Sequence, residues 1–179
     1  LRLKETGSAL CLNCHEGEGL GLNASHVHPP AAEGRCLECH DPHAAETRNL
    51  LRAEVGGLCF QCHDAAEFER KHEHEPLKDG CFSCHVVHGG EHEGLLTSTQ
   101  TELCGRCHEA KSRSFLQAHF DYPLGDQNCA ECHTPHSSDD KALLAMSMHD
   151  PAREGDCEMC HQGADSDTPF ALNVSDANS

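Results

Sequence analysis

The chain has 179 residues, long enough for one or two ordinary domains, but only 37% of them are hydrophobic and 4% aromatic, and there is no Trp. So polar a composition, with 15 Gly and 8 Pro, cannot fill a conventional side-chain core. The formal net charge of −17 argues against nucleic acid as a partner and suits a well-solvated particle that docks on a basic surface. No apolar run approaches a membrane span; the stretch from Ala142 to Met146 is far too short.

Taken in chain order, the sequence is one repeated unit. Cys-x-x-Cys-His occurs seven times, at Cys11, Cys14 and His15; Cys36, Cys39 and His40; Cys59, Cys62 and His63; Cys81, Cys84 and His85; Cys104, Cys107 and His108; Cys129, Cys132 and His133; and Cys157, Cys160 and His161. All 14 cysteines are used. From Cys11 to Cys59 is 48 residues and from Cys59 to Cys104 is 45, while from Cys36 to Cys81 is 45 and from Cys81 to Cys129 is 48, so the repeat is a pair of motifs. The leading motif of a pair follows a Leu-Leu and a further Leu (Leu50-Leu51 with Leu58, Leu95-Leu96 with Leu103). The trailing motif is introduced by a His, a Pro and a Gly (His28, Pro29 and Gly34; His74, Pro76 and Gly80; His119, Pro123 and Gly125). It is followed, three residues after its own His, by another His: His43, His88 and His136.

This divides a single domain over 1–179 into repeats 10–50, 51–96 and 97–143, a truncated repeat 144–163, and a polar tail 164–179. The last motif has the Leu143-Leu144 that opens a unit and the His149, Pro151 and Gly155 lead-in of a trailing motif. It lacks the final His, and reads as a fourth unit that lost its leading motif. Secondary structure should be mostly coil with short α-helices, expected at Asp64 to His72 and Glu109 to Phe120, and little or no β-sheet. A polar tail would normally fray, so an ordered one would imply a neighbour holding it.

Cys-x-x-Cys-His is the attachment motif of haem c. Two thiols add to the two vinyl groups, and the adjacent His sits under the iron. Zinc ribbons and dithiol motifs also use Cys-x-x-Cys, but neither requires His after every pair. With 17 His in 179 residues, seven such placements by chance are on the order of one in ten million. Seven covalent haems are therefore expected, with the porphyrins acting as the core. Haem attachment of this kind takes place outside the cytoplasmic membrane, so a periplasmic or extracellular protein is expected, its export signal removed.

Seven His are proximal ligands, and ten remain. The repeat supplies one distal set of seven: His28, His74, His119 and His149 from the lead-ins, and His43, His88 and His136 from the trailing positions. A His three residues after a proximal His lies on the same side of that haem, and should serve another. The expected pairs are His43 with His15, His88 with His63, His136 with His108, His28 with His40, His74 with His85, His119 with His133, and His149 with His161. His26, His72 and His92 are left over: His26 and His72 are either solvated or swap with the ligand two residues on, and His92 is solvated, replaces His88 or binds a haem of a neighbouring subunit. Met146, Met148 and Met159 are better placed for packing than for ligation.

The paired motif with its trailing His, as in Cys36 to His43, Cys81 to His88 and Cys129 to His136, resembles the doubled-motif multihaem cytochromes. These include periplasmic carriers that feed reductases and decahaem conduits of outer-membrane complexes; other multihaem cytochromes polymerise into conductive filaments. The resemblance covers about residues 10 to 161, and seven haems with a truncated last unit departs from it. It implies a haem-wrapping fold, bis-His low-spin haems and electron transfer to redox protein partners, with no catalytic residue. A homopolymer is the alternative assembly. An enzyme would need an iron with an open site, and no motif has a substituted proximal ligand.

Overall fold

The computed structural model describes residues 3–173. Its regular elements are short. The α-helices are α1 (Ser8–Leu12), α2 (Pro29–Ala32), α3 (Cys36–Cys39), α4 (Val55–Cys59), α5 (Gln100–Gly105), α6 (Arg113–Ala118) and α7 (Asp150–Glu154), separated by 3-10 turns and coil. Four two-residue strands, β1 (His26–Val27), β2 (His72–Glu73), β3 (Gly89–Gly90) and β4 (Ser137–Ser138), form two antiparallel pairs, β1 with β3 and β2 with β4. Among the described residues no helix is long and apolar enough to cross a membrane. The architecture is that of a chain wrapped around haems, mostly coil with short helices.

The polypeptide buries almost nothing by itself. Tyr122 is the one buried hydrophobic side chain among the described residues, and Ser137 and Ser138 are the buried polar ones. The accessible surface is 13319 Å², whereas a compact protein of this mass exposes roughly 8500 Å². Hydrophobic burial between side chains therefore cannot be what holds the chain in shape.

Backbone hydrogen bonding takes that part, and it repeats. After each trailing motif the chain loops out and returns, closing a clasp by a single antiparallel bridge: His40 to Leu51, His85 to Leu96, His133 to Leu144 and His161 to Leu172. Each bridge is flanked by two equivalent bonds. Asp41, Val86, Thr134 and Gln162 donate to the carbonyls of Leu50, Leu95, Leu143 and Ala171 at 2.7–2.9 Å. Arg52, Thr97, Ala145 and Asn173 donate to the carbonyls of Cys39, Cys84, Cys132 and Cys160 at 2.8–2.9 Å. In the first three clasps the loop turns through left-handed residues: Asn49 and Leu50, Gly94 and Leu95, Ala142 and Leu143.

The fourth clasp revises the sequence reading. Residues 164–173 are the return arm of the fourth unit, not a free tail, and they are held by Leu172 and Asn173 within the same chain. The signal was a lone Leu where the other clasps have Leu-Leu. The remainder of the expected tail, 174–179, lies outside the described residues.

The expected helix from Asp64 to His72 is also revised. Only Ala65–Glu67 forms a 3-10 turn, capped by the Asp64 side chain, before the chain straightens into β2. Pairing with Ser137–Ser138 overrides local helix propensity there. Ser137 locks the contact by donating to the Glu67 carbonyl (2.8 Å) and accepting from the Arg70 amide (3.1 Å). The expected helix from Glu109 to Phe120 is confined to α6, where the Ser112 side chain accepts from the Phe115 amide.

Two outcomes follow from these features. Chain that has never been matured with haem should show no cooperative unfolding transition by circular dichroism or calorimetry, as for small domains that fold only around a metal. In the matured protein, Ala142→Gly should stabilise by about 0.5–1 kcal/mol, because Ala142 sits at φ 56° in its clasp. Gly94→Ala should lose about as much, since a Cβ there meets only Leu96 at 4.0 Å and the cost is backbone strain alone. Denaturant titration of the three proteins reads both.

Candidate haem sites

Every Cys-x-x-Cys-His motif forms the same turn. The amide of the motif His donates to the carbonyl of the first Cys in all seven cases, at 2.9–3.0 Å. One helical turn brings residues i and i+4 to the same face, so the first thiol and the imidazole stand together. The 14 cysteines are free thiols in the polypeptide, none fully buried. No group of three or more Cys, His, Asp or Glu converges among the described residues.

The thiols run in sequence along the molecule. Within a unit, Cys11 meets Cys36, Cys59 meets Cys81, and Cys104 meets Cys129. Between units, Cys39 is near Cys59 and Cys62, and Cys84 is near Cys104. Burial first, then the neighbouring thiols, pushes Cys11, Cys59 and Cys104 above the ordinary thiol value.

The clasps set the imidazoles. His40 Nδ1 lies 2.8 Å from the Asn49 carbonyl, His85 Nδ1 2.8 Å from that of Gly94, His133 Nδ1 2.8 Å from that of Ala142, and His161 Nδ1 3.0 Å from that of Phe170. A carbonyl only accepts, so each Nδ1 carries the proton and each Nε2 keeps a free lone pair. That is the tautomer an axial ligand needs, with the outer hydrogen bond that orients it.

Imidazoles then face one another in pairs. Ring centroids are 6.2 Å apart for His28 and His63 and for His74 and His108, at interplanar angles of 18° and 23°. They are 6.0 Å apart for His40 and His88 and for His85 and His136, at 36° and 37°. His119 and His133 stand 6.1 Å apart at 67°. Two imidazoles on opposite sides of one iron, each nitrogen about 2 Å from the metal, place their centroids roughly 6 Å apart. The residues present fit haem iron between each pair.

Four of the expected pairings are corrected. His28 faces His63 instead of His40, His74 faces His108 instead of His85, His88 faces His40 instead of His63, and His136 faces His85 instead of His108. The cause is the strand pairs, which tie the lead-in of one unit to the segment after the trailing motif of the next. The amide of His28 donates to the His88 carbonyl and that of His74 to the His136 carbonyl, both at 2.8 Å. His74 Nδ1 further lies 2.9 Å from the Pro135 carbonyl. Both distal imidazoles thus hang over the boundary between units. Burial, and then the facing imidazole, holds His28, His88 and His136 below the ordinary histidine value, which favours the neutral form that binds metal.

His15, His43, His149 and His161 face no other imidazole at this distance among the described residues. His43 is 93% exposed, with only Asp41 near it at 3.8 Å. His26 and His72 are strand residues, and the buried Nε2 of His72 has no hydrogen-bond partner among the described residues. His92 stands just before the short turn Glu93–Leu95 of the second clasp, and its side chain makes no cap hydrogen bond there.

Comparison with known proteins agrees with this frame. The doubled CXXCH motif family matches residues 28–68, 74–113 and 122–148, together more than half of the chain. The first two matches begin at His28 and His74 and run past the imidazoles these face, His63 and His108. Multiheme cytochrome MtrA of Shewanella baltica (strain OS185) is 28% identical over 78 residues, which cover 42% of this chain and 23% of that protein. The chain therefore spans only about a quarter of that relative where the two match. The chain belongs to the doubled CXXCH motif family: it is a multihaem c-type cytochrome, whose motifs bind haem covalently.

Proposed function

We propose that all seven motifs hold haem c and that the chain is a periplasmic or extracellular electron conduit, with four irons bis-His ligated across unit boundaries and that of His133 paired with His119 of its own unit. The observation that carries this reading is the recurrence of two facing geometries, 6.2 Å at 18° and 23° and 6.0 Å at 36° and 37°. Chance neighbours would not repeat both distance and tilt from one boundary to the next.

On this reading the lead-in His of one unit serves the leading haem of the next, and the trailing His of that next unit serves the trailing haem behind it. His28 and His74 would ligate the haems of His63 and His108, and His88 and His136 those of His40 and His85. Haem iron supplies one-electron redox chemistry, and two His ligands keep its potential low. The chain's own residues do the rest. The Nδ1–carbonyl bonds hold the ligand tautomer, the clasps fix where each motif stands, and the ordered thiols keep successive attachment points close.

A haem iron held between two facing imidazoles, as five of the motifs would hold theirs, has no place for substrate, so we infer a carrier and not an enzyme. Redox proteins with basic docking faces suit the charge of −17, to which each haem adds two propionates. Similarity to a multiheme cytochrome supports the reading as an electron carrier.

Mass spectrometry of the matured chain should find seven haems. His88→Ala should convert one of them to high spin, seen by electron paramagnetic resonance, and raise one potential in a redox titration. That signal should vanish when the haem on Cys36 and Cys39 is removed by substituting both thiols with Ala, and persist when the haem on Cys59 and Cys62 is removed. The reverse dependence would restore within-unit pairing and sink the proposed register.

A further inference from the structure

Between the third and fourth units the cross-unit register has nothing to work with. The fourth unit has no leading motif to take His119, and Ala164 stands where its trailing His would serve the haem of His133. His119 turns back and faces His133 itself. The sequence supplies the slack for this. His119 lies ten residues before Cys129, whereas His74 lies seven before Cys81, and His28 and His149 lie eight before Cys36 and Cys157. The local structure differs too. Strand β2 leads into His74, but helix α6 leads into His119. His119 caps that helix with φ and ψ of −116° and 28°, where His28 and His74 are extended. The helix ends on the Asp121 amide donating to the Leu116 carbonyl at 2.8 Å, with Phe120 left-handed at φ 57°. No strand pair forms at this boundary among the described residues. It is closed by Tyr122, whose hydroxyl donates to the Gln162 carbonyl at 2.7 Å and whose ring lies 6.0 Å from Phe170.

The two rings of this pair are crossed, and both are locked. Their planes meet at 67°, against 18–37° for the other four pairs. His133 Nδ1 lies 2.8 Å from the Ala142 carbonyl, and His119 Nδ1 lies 2.8 Å from the Phe115 carbonyl one turn back in α6. Among the described residues, no other pair has a carbonyl bond of this kind on both of its rings; His40, His74 and His85 each have one, and His88, His108 and His136 have none. The Phe115 ring adds a second restraint. It stacks on the His119 ring with centroids 4.1 Å apart and planes at 29°. Phe115 therefore fixes His119 twice, through its carbonyl and through its flat face. An imidazole held at one atom can still tilt, but one held at Nδ1 and along its face keeps its plane.

Resting on the reading that the iron of His133 lies between these two imidazoles, we propose that Phe115 is a positioning residue that holds His119 crosswise and gives this one haem an electronic character the other four lack. Near-parallel imidazoles donate electron density into one of the two iron dπ orbitals and raise it above its twin. The unpaired electron of the oxidised haem is then confined to one direction across the macrocycle. Crossed imidazoles act on both orbitals alike, so that the unpaired electron spreads in both directions. Such a haem can exchange electrons with a neighbour on any side of it, while the near-parallel pairs favour one axis. The property falls at the boundary where the regular strand pairing stops, and so where neighbours are set differently. The protein's levers on it are the orientation of the axial ligands and the bonds behind them.

The test is electron paramagnetic resonance of the oxidised, matured protein, with haem content read by mass spectrometry. Near-parallel ligands give rhombic low-spin signals, and crossed ligands give a low-spin signal at a distinctly larger g value. The protein should show one signal of the second kind that is lost when Cys129 and Cys132 are both replaced by Ala. Phe115→Ala should leave that haem low-spin, because His119 remains, but move its signal into the rhombic group. Phe115→Tyr, which keeps the flat face, should retain the large-g signal. Should the Ala variant fail to mature, Phe115→Leu fills the space without a flat face and gives the same reading. A large-g signal that survives loss of the Cys129 and Cys132 haem, or none at all, overturns the crossed geometry. An unchanged signal in Phe115→Ala or Phe115→Leu overturns the role of Phe115. His119→Ala should turn the same haem high-spin; if it does not, the pairing of His119 with His133 fails, and the reading beneath the proposal with it.

Discussion

The Nδ1 proton of His40, His85, His133 and His161 is committed to a carbonyl nine residues further on, and the rest of the structure depends on that bond. It selects the tautomer, fixes the plane of the ring and gives the clasp its reason to close. A conventional protein holds such a ligand by packing side chains around it. This one has Tyr122 as its single buried hydrophobic residue among those described, so a backbone carbonyl must take the place of the packed wall. The left-handed residues in the loops are the local cost of bringing that carbonyl back to the ring.

The cross-unit ties build on the clasps. The second and third clasps turn the chain so that the segment after the trailing motif emerges as a short strand, and the preceding unit's lead-in pairs with it. Two residues of strand would be marginal alone. They suffice because the imidazoles on either side would be bound to metal, and because Ser137 and Gly89 allow backbone to approach backbone closely. The molecule is quasi-one-dimensional in the sense of repeat proteins, each unit touching its neighbours along the chain.

Much of this was legible in the sequence, for a physical reason. Covalent attachment needs both thiols and the proximal His within one turn, so seven motifs, their pairing into units and the coil-rich fold could all be read from local spacing. The set of distal candidates could be counted for the same reason. Their partners could not. His28 lies twelve residues from His40 and thirty-five from His63, and only the strand pair with Gly89-Gly90 selects the distant one. The fourth clasp was missed because its return arm has Ala171-Leu172 where the others have two leucines. The helix expected at Asp64 to His72 failed because β2 draws the same residues into a contact with a segment more than sixty positions away.

The aromatic seal at the last boundary has a further consequence. Components wired in series share one current, and the total resistance is governed by the worst contact among them. The first two boundaries are near copies of each other, with tilts matched to within a few degrees, so neither should throttle the other. At the third, Tyr122, Phe170 and a ring turned to 67° replace the strand pair. In the conduit proposed above, that contact is the one whose geometry differs from the rest, and so the one that sets the throughput.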